Sequence, residues 1–256
     1  WISSPFKNIV EQDRLYISRK LPKAAGIREW RYKEQFAGSS LRRFRSWLIG
    51  ASGRQQQSIF NSYILYKTIS DHVNKYQNLF WHLANFDAEK DLGNWFAVTS
   101  FHLWLVNVRL RYEGYDGGQL QHDLFQRFWE EFENRLDEEV GHPVLVSKYK
   151  HQAKERYRGF WVSLDHGVLC GDAYLANAIH RNFFGIGQGV TSLKPLRHMV
   201  SYVHRTLLGL EFHSSVDVVN GLVCFPKLSP ELQEIWEQAP AIITKVTTDP
   251  SRESGQ

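Results

Sequence analysis

Residues 91–114 read DLGNWFAVTSFHLWLVNVRLRYEG, and this stretch decides the fold. Its apolar residues, among them Trp95, Phe96, Val98, Phe101, Leu103, Trp104 and Leu110, do not fall on one stripe. They surround the helix that their spacing predicts. A helix apolar on all sides is one buried by its neighbours. Arg109 and Arg111 stand in its last turn, where cations complement the carbonyl end of the helix dipole, and Gly114 suits a left-handed end residue. The unbroken apolar run is shorter than the roughly 20 residues a bilayer span needs, and it carries His102 and Asn107. The prediction is a core helix of a helical domain.

The chain on either side supports that reading. Before it, Ile59, Tyr63, Tyr66, Ile69, Val73, Tyr76, Phe80 and Leu83 recur at helical spacing over residues 56–84. After it, Tyr115-Asp116-Gly117-Gly118 reads as a turn. Residues 119–140 then place Leu120, Leu124, Phe128, Phe132 and Leu136 on one side and Glu130, Glu131, Glu133, Asp137, Glu138 and Glu139 on the other. Acids in a last turn oppose the helix dipole, so this face is either simply solvated or a docking face for a basic partner.

A basic helix follows from Val144 to about Arg158, carrying Lys148, Lys150, Lys154, Arg156 and Arg158. Asp172 reads as the N-cap of a helix over 173–184. Residues 193–212 give a further helix and 228–237 a short one, while the β-branched run 216–223 has the composition of a short strand. Two short helices are expected over 27–35 and 40–49. The expected fold is mainly α, an irregular bundle of about six helices with extended arms at both ends. Three regions are expected: a basic extension over 1–55, a helical domain over 56–213 and a C-terminal extension over 214–256.

The net charge of +4 conceals an asymmetry. Residues 1–55 hold twelve Lys/Arg against four Asp/Glu, a charge of +8, and the remainder holds 19 against 23, a charge of −4. A basic arm on a mildly acidic body suits phosphate, RNA or an acidic protein surface, the alternative being a solvated extension. Within it Arg42, Arg43, Arg45 and Arg54 cluster with Trp47. Arginine beside an aromatic serves RNA, and serves equally as a cationic rim around a docked ring. The chain opens on Trp1 rather than Met, which reads as a processed or trimmed chain.

Catalytic chemistry is absent from the pattern. There is no H-E-x-x-H, G-x-S-x-G or Walker loop. Gly185-Ile186-Gly187-Gln188-Gly189 follows a helix rather than a strand and lacks the phosphate-binding Lys. A di-iron carboxylate site needs Glu-x-x-His twice, and Glu139 with His142 supplies it once, beside Pro143. Cys170 and Cys224 have no zinc spacing. His102, His166 and His180 read as hydrogen-bonded helix histidines rather than ligands. No enzyme, cofactor or metal is expected.

Two blocks carry a family resemblance. Trp95-Phe96, then Phe101-His102-Leu103-Trp104, then Arg109-Leu110-Arg111 form the first. Gly171-Asp172-Ala173-Tyr174-Leu175-Ala176 with Arg181-Asn182-Phe183-Phe184 forms the second, and Phe128-Trp129 and Arg158-Gly159 lie between them. The chain resembles, over roughly 60–212, the ubiquinol–cytochrome c chaperones, assembly factors of respiratory complex III; His180 and Phe101 stand where that family usually has Trp and Leu. The resemblance implies a mitochondrial protein on the matrix side of the inner membrane, peripheral to it. It implies binding to newly made cytochrome b or another complex III component, beside a small helical partner and near the mitochondrial ribosome. Grooves lined by Trp and Phe would hold the client. The alternative is a chaperone-like domain kept as a permanent subunit of a mitochondrial ribosome or respiratory complex. In either case the motif residues are structural or contact a partner, with Arg109 a candidate ion partner for Asp172.

Overall fold

The computed structural model describes residues 52–84, 92–183 and 193–237. The short helices expected over 27–35 and 40–49, and with them Arg42, Arg43 and Arg45, lie outside these residues, as does 238–256. The helices are α1 (Ser52–Ala84), α2 (Leu92–Leu110), a 3-10 turn (Arg111–Glu113), α3 (Gly114–Val140), α4 (Pro143–Cys170), α5 (Asp172–Phe183), α6 (Lys194–Glu211) and α7 (Ser215–Val219). A last helical segment, α8, covers 230–237. No strand occurs among the described residues.

The chain divides into two compact units that ignore sequence order. Unit 1 joins the residues up to Asp71 with Leu103–Gly141 and Arg205–Lys227, and unit 2 joins His72–His102, His142–His204 and the chain from Leu228. Unit 1 buries Leu65 and Ile69 of α1, Trp104 and Leu110 of α2, and Phe128 and Phe132 of α3. Unit 2 is built on rings: Phe101 packs edge-on to Phe183 at 5.2 Å, Phe160 on Phe183 at 5.5 Å, and Phe80 on Tyr202 at 5.2 Å.

The all-round apolar stretch behaves as its pattern requires. Residues 98–107 of α2 are buried without interruption, and Trp104 has no exposed surface. Each fully buried Leu or Phe side chain contributes about 1.5–3 kcal/mol relative to exposure, so a helix apolar on every side is stable only when covered on every side. Among the described residues, no helix is long and apolar enough to cross a membrane.

Three local expectations need correction. Residues 115–118 are the first turn of α3 rather than a turn between helices. The break comes at Gly114, with φ 58°, and Gly117 lies so close to the Leu110 carbonyl that no Cβ would fit. The run 216–223 is not a strand. Ser214 caps α7 by accepting the Asp217 N–H at 3.2 Å, and this local hydrogen bond outweighs a weak β preference. The basic helix does not stop near Arg158 but runs unbroken through Gly159 to Cys170.

Candidate functional site

The first family-like block is spent on scaffold. Trp95, His102 and Trp104 are buried, and Phe96 is half-buried with its ring edge-on to Tyr157 at 6.5 Å. Arg109 forms an ion pair with Glu113 one turn on, and its second guanidinium nitrogen donates to the His213 carbonyl at 3.2 Å. With the Asn107 amide turned to suit its neighbours, its oxygen accepts from Arg111 Nε and Nη2, both at 3.2 Å. Arg54 lies on α1.

His102 is the core histidine its sequence context predicts, and it belongs to a chain of three groups. Its Nδ1 lies 2.8 Å from the Val98 carbonyl, one turn back, and its Nε2 lies 2.9 Å from the Tyr202 hydroxyl. The same hydroxyl lies 3.0 Å from Nε2 of His72. The carbonyl can only accept, so His102 Nδ1 carries a proton, and with both rings neutral the remaining directions follow. His102 donates from Nδ1 and accepts at Nε2 from Tyr202, and Tyr202 in turn accepts from His72. Burial pushes the His102 imidazole down to about 4, and burial together with the nearby His102 and Lys75 lowers His72 as well. Both rings are therefore neutral at physiological pH, and the hydrogen-bond arrangement is compatible with that. Tyr202 and His72 were not singled out in the sequence, because a Tyr at a core position of an amphipathic helix looks like any other aromatic.

The second block is divided between scaffold and surface. Gly171 is the only residue between α4 and α5, and its φ of 114° is one that a side chain would strain. Its N–H returns to the Gly167 carbonyl at 3.0 Å, and its own carbonyl accepts from Tyr174 and Leu175. Gly171 thus ends α4 and opens α5. The N-cap reading of Asp172 is corrected: Asp172 is the first residue of α5, and its carboxylate reaches His204 Nε2 at 2.7 Å. The expected pairing of Arg109 with Asp172 is corrected too, since each has its own partner, Glu113 and His204. Asn182 donates to the Ala178 carbonyl at 2.7 Å. Arg181 is exposed.

Among the described residues, two open grooves offer places where chemistry can meet a partner. In unit 2, α4 and α5 enclose a cleft of about 560 Å³ lined by Arg158, Val162, His166, Tyr174 and Arg181, among others. The two helices meet behind it with almost no clearance, since a Cβ on Gly167 would stand 2.6 Å from the Leu175 Cα. In unit 1, α1 and α3 flank a more polar cleft of about 680 Å³, with Ile59, Gln119, Asp123, Gln126 and Arg127 on its walls. Arg127 donates to Ser62 Oγ at 2.8 Å and to the Ile59 carbonyl at 2.9 Å, and it stacks over the exposed Tyr63 ring at 5.5 Å. Neither of these two clefts is lined by Trp or Phe; among the described residues Trp104, Phe101, Phe128 and Phe183 lie in the core, while Phe96, Phe125, Trp161 and Trp236 are half-buried. Among the described residues no group of three or more His, Cys, Asp or Glu could hold a metal ion.

The profile of the ubiquinol–cytochrome c chaperones matches residues 84–223, more than half of the chain, and spans both family-like blocks. The chain belongs to that family. The family is one of chaperones rather than enzymes. Among its relatives, ubiquinol–cytochrome c reductase complex assembly factor 1 of Drosophila melanogaster is 25% identical over 149 residues, 56% of this chain and 55% of the relative. The mitochondrial protein CBP3 of Saccharomyces cerevisiae is 28% identical over 155 residues, 57% of this chain and 46% of the relative. The chain thus spans about half the length of the curated relatives it matches. The crystal structure of a Cbp3 homolog from Brucella abortus superposes with a TM-score of 0.53 at 17% identity, covering 74% of this chain and 98% of that one. At that identity the likeness concerns the chaperone fold alone.

Proposed function

We propose that this family member is a non-enzymatic mitochondrial assembly factor that binds newly made cytochrome b, with a small helical partner, and so assists the assembly of complex III. It works on the matrix side of the inner membrane, peripheral to it. Family membership carries the reading, since the relatives are named for assembly of the ubiquinol–cytochrome c reductase complex. The Drosophila relative is named as an assembly factor, so the permanent-subunit alternative gains nothing from it. A ribosomal contact rests on the +8 charge of residues 1–55 alone.

The α1–α3 groove suits the protein contact. Its walls and rim offer Ile59, Tyr63 and Arg127, with Gln119 and Gln126 beside them. Tyr and Arg are the residues enriched where protein interfaces concentrate their binding energy, and Lys is depleted there. The test is replacement of the endogenous protein by a Tyr63→Ala, Ile59→Ser variant. Native gels should show less assembled complex III, and pulse labelling should show newly made cytochrome b no longer recovered with the chaperone. Normal complex III after complete loss of the protein would overturn the assembly reading. Normal complex III with the variant alone would remove the groove from it.

A further inference from the structure

The outward ridge of α4 combines exposed aliphatic side chains, basic residues and an open cleft. Val144, Lys148, His151, Arg158, Val162 and Leu169 follow one another at intervals of three, four or seven residues, which keeps them on one face of the helix. The opposite face, with Ala153, Tyr157, Phe160 and Leu164, is buried. Three aliphatic side chains on the ridge are left to solvent: Val144 is 70% exposed, Val162 68% and Leu169 86%. Between Val144 and Val162 the charge is mostly basic, and Asp165 follows beside Val162. Residues 148–158 contain Lys148, Lys150, Lys154, Arg156 and Arg158 against the single acid Glu155, which lies 3.4 Å from Arg158. Where the ridge meets α5, the cleft of about 560 Å³ brings Arg158 and Arg181 together with His166 and Tyr174.

We infer that this face of unit 2 is a docking surface for an anionic lipid bilayer, with the cleft between α4 and α5 receiving a phosphodiester headgroup between Arg158 and Arg181. Val162 and Leu169 then enter the acyl boundary, and Lys148, on the same face, lies over the headgroups. The composition favours lipid over protein. Protein interfaces are depleted in Lys, whereas clusters of Lys and Arg near a membrane surface are drawn to anionic headgroups. A planar guanidinium fork matches phosphate oxygens two at a time. This inference deepens the peripheral-membrane part of the proposed function, and its test is independent of complex III.

The test uses the full chain and vesicles of phosphatidylcholine, with or without phosphatidylglycerol. Cys170 is exposed beside Leu169, while Cys224 is partly covered. With Cys224→Ser, a polarity-sensitive fluorophore on Cys170 reports on this face and not on the basic arm. The label should shift to the blue on anionic vesicles and remain unshifted with inorganic phosphate at matched ionic strength. Partition should weaken on the order of thirtyfold in the Arg158→Ala, Arg181→Ala double variant, since each basic residue near the surface adds about fivefold, and it should fall as salt rises. Val162→Ser and Leu169→Ser should each reduce it a few-fold, with melting unchanged. A chain that floats with vesicles while the label stays unshifted would show that the arm drives binding and overturn the proposal. Equal response to inorganic phosphate would make the cleft a free-anion site. Full vesicle binding by the double variant, with loss of a copurifying protein, would make the face a protein contact.

Discussion

The two blocks that resemble the family motifs end in different surroundings. The first, in α2, disappears into the core: ten consecutive residues, 98–107, are buried, and Arg109 is closed off by Glu113. The second, around the α4–α5 junction, folds its glycine and Asn182 into the scaffold but leaves Asp172 and Arg181 outside. A motif is thus a statement about chemistry, and the same family signature records packing in one place and accessible charge in another. Burial separates the two roles.

That contrast is most easily broken at Trp104. With no exposed surface, Trp104→Ala should cost about 3–5 kcal/mol in denaturant unfolding. A loss below about 1 kcal/mol would mean that the block is not the core of unit 1.

Acid tests the buried histidines. The unfolded chain takes up a proton on His102 near pH 6.5, and the folded chain refuses it until about pH 4. Stability is therefore full above that window and falls as the pH drops through it, by about 3 kcal/mol for His102 alone. His72 acts in the same direction. A flat stability profile between pH 7 and pH 4 would contradict the neutral hydrogen-bond chain.

Smaller changes sharpen the comparison. Tyr202→Phe leaves both ring nitrogens facing a carbon and should cost about 1–3 kcal/mol. Gly167→Ala forces a methyl against the Leu175 backbone and should cost about as much, 1–3 kcal/mol by overpacking. Arg181→Ala should change melting stability by no more than about 0.5 kcal/mol while weakening binding. If Arg181→Ala unfolds the protein, the second block is scaffold throughout.

The helices were legible wherever one strong signal acted alone. The all-round apolar run gave α2, and the 3.6-residue period gave most of α1, α3 and α6. Errors came where two weak signals competed. Tyr115-Asp116-Gly117-Gly118 has turn composition, yet Gly117 is needed for contact with the Leu110 carbonyl inside a helix. The β-branched run after Ser214 lost to the serine cap. The Arg109–Asp172 ion pair was misassigned because sequence gives no distances, and Arg109 had an acid one turn away in Glu113. The exposed ridge of α4 was readable in principle, since Val144, Val162 and Leu169 fall on the face opposite Tyr157 and Leu164. Its basic residues drew the reading toward charge and away from the aliphatics between them.

The single-residue link at Gly171 has a consequence for how tightly the cleft can hold anything. A 28-residue helix and a 12-residue helix are joined by one glycine, with Gly167 packed directly on the Leu175 backbone, so the closed end of the cleft is tightly packed. There a guest meets a preformed end of the cleft. Little ordering entropy is then lost on binding, so that a modest set of contacts yields more affinity than the same contacts would on a floppy surface. The corollary is selectivity by size: a tightly packed end resists widening for a larger headgroup, and guests too bulky for it remain on the rim.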